Sequence, residues 1–210
     1  MGFTVTSADI SPERFRGAGL AVAADLDASL PFPDSAFDLV LCVEGIEHAE
    51  NQYHAFREFT RVLAPGGRLV LSTPNPLSLS SRLRLLLSGF DDVAPLPIRH
   101  DEPRISAHHI NPVSLPFLDL MCRRNGLVIE HVSANRLRFG SILAALFLYP
   151  AIWLRTRMIL AQRRPEAMAG VHARVQGWLL GPAVLFGRVV VIVARRGAAS
   201  LPSPSGPTPP

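Results

Sequence analysis

The stretch LPFPDSAFDLVLCVEGIEHAENQYHAFREFTRVLAPGGRLVLSTPN, Leu30–Asn75, decides how the rest of the chain is read. It opens with a Pro-rich turn, and Phe37–Val43 follows as a buried strand. In the next part Tyr53, Phe56, Phe59 and Leu63 recur at steps of three and four, which gives a helix one apolar face. Ala64-Pro65-Gly66-Gly67 stops that helix, because glycine takes positive φ freely. Arg68–Asn75 is another strand, closed by Pro74.

The same alternation extends outward. Upstream, Phe3–Ala8 reads as a strand ending at Asp9, Ser11 starts a short helical stretch, and Leu20–Asp27 is strand-like with Asp25 and Asp27 at its end. Downstream, SLSSRLRLLLSG is a Leu/Arg helix. A polar loop carrying His108 and His109 follows it. SLPFLDLMCRRNG is a helix ending at Gly126, GLVIEHVSANR a strand, and RVVVIVARR a closing strand. Alternating strands and helices predict an α/β fold: a mostly parallel sheet with right-handed crossovers and helices on both faces. Ligands of such sheets bind beyond the carboxyl ends of the strands. That singles out Asp9, Asp25, Glu44 to His48, and Ser72 to Asn75.

With 210 residues, the chain fits one domain, or one domain with an elaboration. The net charge is +4, and its cations are all Arg, with no Lys. No basic run is interleaved with aromatics, which argues against nucleic acid as a partner. Arg136, Arg138, Arg155, Arg157, Arg163 and Arg164 instead flank apolar stretches, a pattern suited to anionic lipid headgroups. Cys42 and Cys122 lie far apart in apolar surroundings and read as buried free thiols of a reducing compartment. Met1 is followed by polar, strand-like sequence rather than a signal peptide. The Pro/Ser-rich end, Ser200–Pro210, has nothing to bury and is expected to be disordered.

Leu30-Pro31-Phe32, Phe37-Asp38-Leu39-Val40, Glu47-His48, Arg57-Glu58, Arg61-Val62-Leu63, Pro65-Gly66-Gly67 and Ser72-Thr73-Pro74-Asn75, in this order and spacing, resemble the class I S-adenosylmethionine-dependent methyltransferases. Within that family the likeness is to the ubiquinone-type O-methyltransferase group. It runs from Phe3 to about Asn135 and resumes at Arg188–Arg196. The resemblance implies a Rossmann-like sheet and S-adenosyl-L-methionine as cofactor. It implies that Asp9, followed by Ile10, takes the two ribose hydroxyls, since the two oxygens of a carboxylate suit a vicinal diol. Asp25 would receive the adenine amino group and Leu26 would offer its backbone N–H. Cys42, Val43 and Glu44 would border the methionine end. His48 or His109 would be the general base, because imidazole titrates near neutral pH. Some members of the group hold a divalent metal such as Mg2+ on a cluster like Glu44, Glu47 and His48. The other reading of Glu47 and His48 is that they cap the following helix and orient a loop; that of His108 and His109 is a solvated loop pair.

The family's Gly-rich loop after its first strand has no counterpart here. The family's strand order is 3-2-1-4-5-7-6, so the sheet is expected to lack its central first strand. Either the strands at Phe3–Ala8 and Phe37–Val43 pair directly, or the natural product has more residues upstream; the second is the expectation.

The last two family strands form a hairpin, yet about fifty residues separate them here. Within this insertion Gly140–Leu154 carries no charge over 15 residues. As a helix it would be roughly 22 Å long, short of a ~30 Å hydrocarbon core, and Pro150 would kink it. The expected organisation is a partial methyltransferase domain over 1–136 and an apolar helical hairpin over 137–187. The final strand takes 188–197 and a tail 198–210. The hairpin is expected to lie in a membrane surface where a lipid-linked substrate arrives, with the protein cytoplasmic and peripheral on the inner face. A cap or dimer interface is the bland alternative.

Two functions follow: methyl transfer to a small-molecule or lipid-linked acceptor, or a non-catalytic, membrane-associated relative.

Overall fold

The structure is a computed structural model and describes residues 2, 4–17, 21–93, 109–138, 140–162 and 169–197. His108, the middle of the polar loop and the Pro/Ser-rich tail lie outside the described residues.

Six strands form in chain order: β1 (Ser7–Asp9), β2 (Ala21–Ala23), β3 (Phe37–Val43), β4 (Leu63–Pro74), β5 (Leu127–Ala134) and β6 (Val189–Arg196). The helices are α1 (Gln52–Val62), α2 (Leu79–Ser88), α3 (Leu115–Arg124), α4 (Gly140–Gln162), α5 (Ala169–Leu180) and α6 (Pro182–Phe186). The larger sheet has the order β3-β4-β6-β5. β3 and β4 are parallel, and β6 runs antiparallel to both β4 and β5. Three of its four strands therefore point the same way, with the reversed β6 wedged between two of them. This is the expected order 4-5-7-6 on that side of an α/β sheet.

β1 and β2 form a separate parallel pair. β1 is shorter than the expected Phe3–Ala8 strand, and β2 covers only the middle of Leu20–Asp27. β1 and β3 do not pair with each other. Both strands carry exposed residues. Ala8 and Asp9 are exposed, and on β3 Leu41 is 62% and Val43 72% exposed. Water can satisfy such edges, so the penalty for unpaired buried groups does not arise.

The core lies on one face of the larger sheet. Phe56 and Phe59 of α1, with Leu118, Met121 and Cys122 of α3, pack on Leu69, Leu71, Ile129, Ile192 and Ala194. Sequence periodicity explains this. On β4 Leu69 and Leu71 alternate inward, and on α1 the apolar residues recur once per turn. α1 starts where Asn51 caps it, accepting a hydrogen bond from the backbone N–H of His54 at 2.9 Å. The Asp27 carboxylate accepts from the backbone N–H groups of Glu50 and Asn51 at 2.9 and 2.7 Å, which fixes the approach to α1. Within β4, Gly66 takes a φ of +79°, which suits glycine, at the place where the pairing with β3 shifts register.

Arg61 ties the Pro-rich turn to α1. Its guanidinium bonds both Glu58 oxygens at 2.9 and 2.7 Å, the Phe32 and Leu30 carbonyls at 2.7 and 2.9 Å, and Asp34 at 2.8 Å. Glu58 in turn accepts from the backbone N–H of Leu30 at 2.7 Å.

The described residues of the insertion between β5 and β6 are largely helical. α4 is a single helix with Pro150 inside it, and α5 packs against α4 and α6.

Candidate active site

The site is built at the carboxyl ends of β3 and β4. At the end of β3, Glu44 takes a left-handed φ of +47°. Its backbone N–H donates to the Ser72 carbonyl at 3.0 Å and to the Ser72 hydroxyl at 3.2 Å, which pins this turn to β4. A single 3-10 turn, Ile46–His48, follows and drives Ile46 and Glu47 fully into the core, each 0% exposed. One Glu47 oxygen accepts from the Thr73 hydroxyl at 3.0 Å. The other, Oε1, is buried with no hydrogen-bond partner.

A distant segment completes the cluster. Asn111 donates its backbone N–H to the Glu47 carbonyl at 3.0 Å, and its side-chain amide to the carbonyls of Ala49 and Glu50 at 2.8 and 3.0 Å. Gln52 donates to the carbonyls of Ile46 and Asn111 at 3.0 and 2.7 Å. These bonds bring His109 beside His48, ring centroids 5.1 Å apart. One ligand-type atom from each of Glu47, His48 and His109 lies within 4.8 Å of the others. Nδ1 of His109 is 3.0 Å from the Val93 carbonyl. A carbonyl only accepts, so Nδ1 carries the proton and neutral His109 keeps its lone pair on Nε2.

The cluster borders a cavity of about 380 Å³, lined among others by Glu44, Asp92, His109, Arg136, Arg138 and Arg188. Asp92 bonds the Ser80 hydroxyl at 2.7 Å and the Arg138 guanidinium. Burial pushes its carboxyl up, but the bonds from Ser80 and Arg138 outweigh this and hold it below its ordinary value.

The expected site residues divide into three groups. Glu47, His48 and His109 meet. Of the expected metal set Glu44, Glu47 and His48, the last two lie with His109 in a group that could hold a metal ion, and Glu44 lines the cavity. Asp9 ends β1 and Ile10 follows it, Asp25 and Leu26 follow β2, and none of the four lines the cavity. One oxygen of Asp9 accepts from the backbone N–H of Ser11 at 2.7 Å, and one of Asp25 from that of Asp27 at 2.9 Å. Ile10 is exposed, whereas Leu26 packs partly on the core. The Cys42 thiol is free and buried in the core, as its apolar surroundings in the sequence suggest. Burial first, and then the Glu47 charge, push it up to about 12, so it stays a protonated thiol. Val43 is exposed on the open edge of β3.

Sequence reasoning missed Gln52, Asn111 and Arg188. An Asn that closes a loop sixty residues from its partners leaves no local signal. Arg188 could have been found, since it is the polar residue immediately before the apolar run that opens β6.

Residues 1–71 match the family model described as a methyltransferase domain. The chain is 41% identical over 56 residues to 27-O-demethylrifamycin SV methyltransferase of Amycolatopsis mediterranei, covering 25% of this chain and 21% of that protein. It is 41% identical over 85 residues to demethylmenaquinone methyltransferase of Thermus thermophilus, covering 36% and 39% respectively. The chain thus spans about a fifth to two fifths of the length of these relatives. Among solved structures, a SAM-dependent methyltransferase from Archaeoglobus fulgidus aligns with a TM-score of 0.49 at 14% identity, over 86% of this chain and 69% of that one.

Proposed function

We propose that this chain, whose residues 1–71 match a methyltransferase domain, is a class I S-adenosylmethionine-dependent methyltransferase that methylates a small-molecule or lipid-linked acceptor held in the cavity beside His109. The observation that carries the reading is the Glu47–His48–His109 cluster, which opens on that cavity at the carboxyl ends of β3 and β4. When bound, the cofactor supplies an electrophilic methyl group on a sulfonium.

The residues fit it in part. Asp9 and Asp25 each commit one oxygen to a neighbouring backbone N–H. Among the described residues no hydrogen bond reaches the other oxygen of either, which leaves that of Asp9 for the ribose hydroxyls and that of Asp25 for the adenine amino group. Ile10 and Leu26 flank these contacts, and the backbone of Val43 and Glu44 borders the methionine end. No glycine-rich loop of this chain meets that end.

The remaining work belongs to the cavity. The acceptor must sit in line with the methyl group, and its proton must leave as the new bond forms. His109 takes that proton on Nε2, because the Val93 carbonyl fixes its tautomer. Glu47, buried beside the imidazoles, stabilises the imidazolium that results.

A second reading is favoured by the unpartnered Glu47 Oε1. Glu47, His48 and His109 would hold a divalent cation, and two imidazoles with one carboxylate suit Zn2+, Mn2+ or Fe2+ better than Mg2+. Calorimetric titration with S-adenosylhomocysteine, with and without Mn2+, tests both. Cofactor binding that ignores the metal favours the base. No binding under either condition removes the methyltransferase reading in favour of a non-catalytic relative.

The apolar insertion supports a greasy acceptor. On α4, Phe147 is 84%, Leu146 70% and Leu154 54% exposed, and the Arg157 guanidinium lies 4.8 Å from the centre of the Trp153 ring. Among the described residues, no helix is long and apolar enough to cross a membrane. α4 resting in the surface of a membrane is the mode these features suit. Unchanged flotation with anionic vesicles after Phe147→Glu would overturn it.

A further inference from the structure

We propose that Arg136 and Arg188 form an oxyanion clamp in the cavity, so that the acceptor carries a phosphate or carboxylate group; the statement about the acceptor rests on reading this cavity as the methyl-acceptor site. The register carries the argument. The β5–β6 ladder pairs Ala134 with Val190 and continues past the strand ends. The backbone N–H of Asn135 donates to the Val189 carbonyl at 3.3 Å, that of Arg188 to the Arg136 carbonyl at 3.1 Å, and Leu137 bridges Gly187. Arg136 and Arg188 are therefore directly opposite each other on neighbouring strands, with side chains on the same face and both lining the cavity.

Two cations placed this way repel each other. Among the described residues neither has an ion pair or a side-chain hydrogen bond. Arg138, two residues on and on the same face, is neutralised by Asp92. The other carboxylate of the lining, Glu44, belongs to the turn after β3. An anion thus has one favourable wall, at the paired guanidiniums, and one unfavourable corner, at Glu44. Held at the first, the acceptor directs its remaining atoms toward His109.

The backbone that carries Arg188 is held in place. The Asn75 amide donates to the Val184 and Gly187 carbonyls at 2.7 and 2.9 Å, and its oxygen accepts from the backbone N–H of Leu77 at 3.0 Å. At Gly187 a Cβ would clash with the Ala183 carbonyl, so only glycine fits at the residue preceding Arg188. Two neighbouring guanidinium forks match the geometry of an oxyanion.

The test uses the full chain with inorganic phosphate, and with vesicles of phosphatidylglycerol in phosphatidylcholine. Arg136→Gln and Arg188→Gln are each expected to weaken phosphate binding at least tenfold. By removing the repulsion, each should also raise the Tm of the phosphate-free chain by about 1–3 °C, a gain that a folding defect could not produce. Arg188→Lys keeps the charge but not the fork and should bind phosphate at an intermediate strength. Phosphate affinity equal in the wild type and the double Gln variant overturns the clamp. If the Gln variants also lose binding to the anionic vesicles, the anion is a lipid phosphate. If they lose phosphate alone, it belongs to a small molecule. Parallel titration with S-adenosylhomocysteine separates the two proposals. Phosphate binding without S-adenosylhomocysteine binding keeps the clamp and removes the methyltransferase reading; the reverse removes the clamp alone.

Discussion

Glu47 is wholly buried and leaves one carboxylate oxygen without a partner, an arrangement that costs stability unless something visits that oxygen. Glu47→Gln replaces the charge with an amide of the same shape. It is expected to change stability by less than about 1 kcal/mol, while lowering Mn2+ or Zn2+ affinity about 100-fold or more; a denaturant melt and a metal titration read the two effects. His109→Asn should lower turnover about 10²–10⁴-fold, the range of a lost general base, measured as single-turnover methyl transfer. A different residue pair sets the response to acid. The hydrogen bonds from Arg61 are the largest influence on Glu58; burial works against them, while the Leu30 N–H and the Arg61 charge add to them, and the carboxyl is held below its ordinary 4.5. A lowered folded pKa gives stability that is present above the unfolded value and lost as pH falls through the folded one. Wild type should therefore lose more stability than Glu58→Gln between about pH 5 and pH 3 in urea melts. At this scale the sequence showed which residue types mattered but not which would meet. Glu47 and His48 are neighbours in the chain and were legible. The approach of His109 to that pair depends on bonds from Asn111 and Gln52 that no spacing rule reveals.

The elements were easier to read than their contacts. Phe37–Val43 was expected residue for residue, and α1 emerged from a three-four apolar period that the core then used. Asn51 is the local reason α1 begins where it does. Asn51→Ala should cost about 1 kcal/mol, measurable as a lowered urea midpoint with an unchanged slope. β1 and β2 were overestimated, because β-rich composition alone cannot supply a second neighbour for a strand. α4 was recognisable from its uncharged run, but a helix apolar on most sides does not declare which side meets lipid and which meets protein. Its exposed residues Leu146 and Phe147 set the expectation that Phe147→Glu reduces flotation with anionic vesicles severalfold while leaving the helical content unchanged by circular dichroism.

At the scale of the molecule, the larger sheet ends on β3, whose Leu39, Leu41 and Val43 are exposed on one face. Alternation along Phe37–Val43 could not show this, since a strand reads the same whether or not its outer face is covered. A bare apolar edge invites pairing with another chain. Leu41→Lys should lower self-association in sedimentation velocity with little loss of stability, because the side chain it replaces is 62% exposed. The strand order has a further consequence, for time rather than for stability. β5 pairs with β6 alone, and β6 fills the place between β5 and β4. On a ribosome, β5 and the three helices after it emerge before the strand that closes the sheet. The sheet closes only when Val189–Arg196 slots between two strands already made, so folding waits on its least local contacts and should be slow, on the millisecond-to-second scale. Until that insertion β4 and β5 face each other across an unfilled place, and that interval is when the chain is most exposed to misassembly.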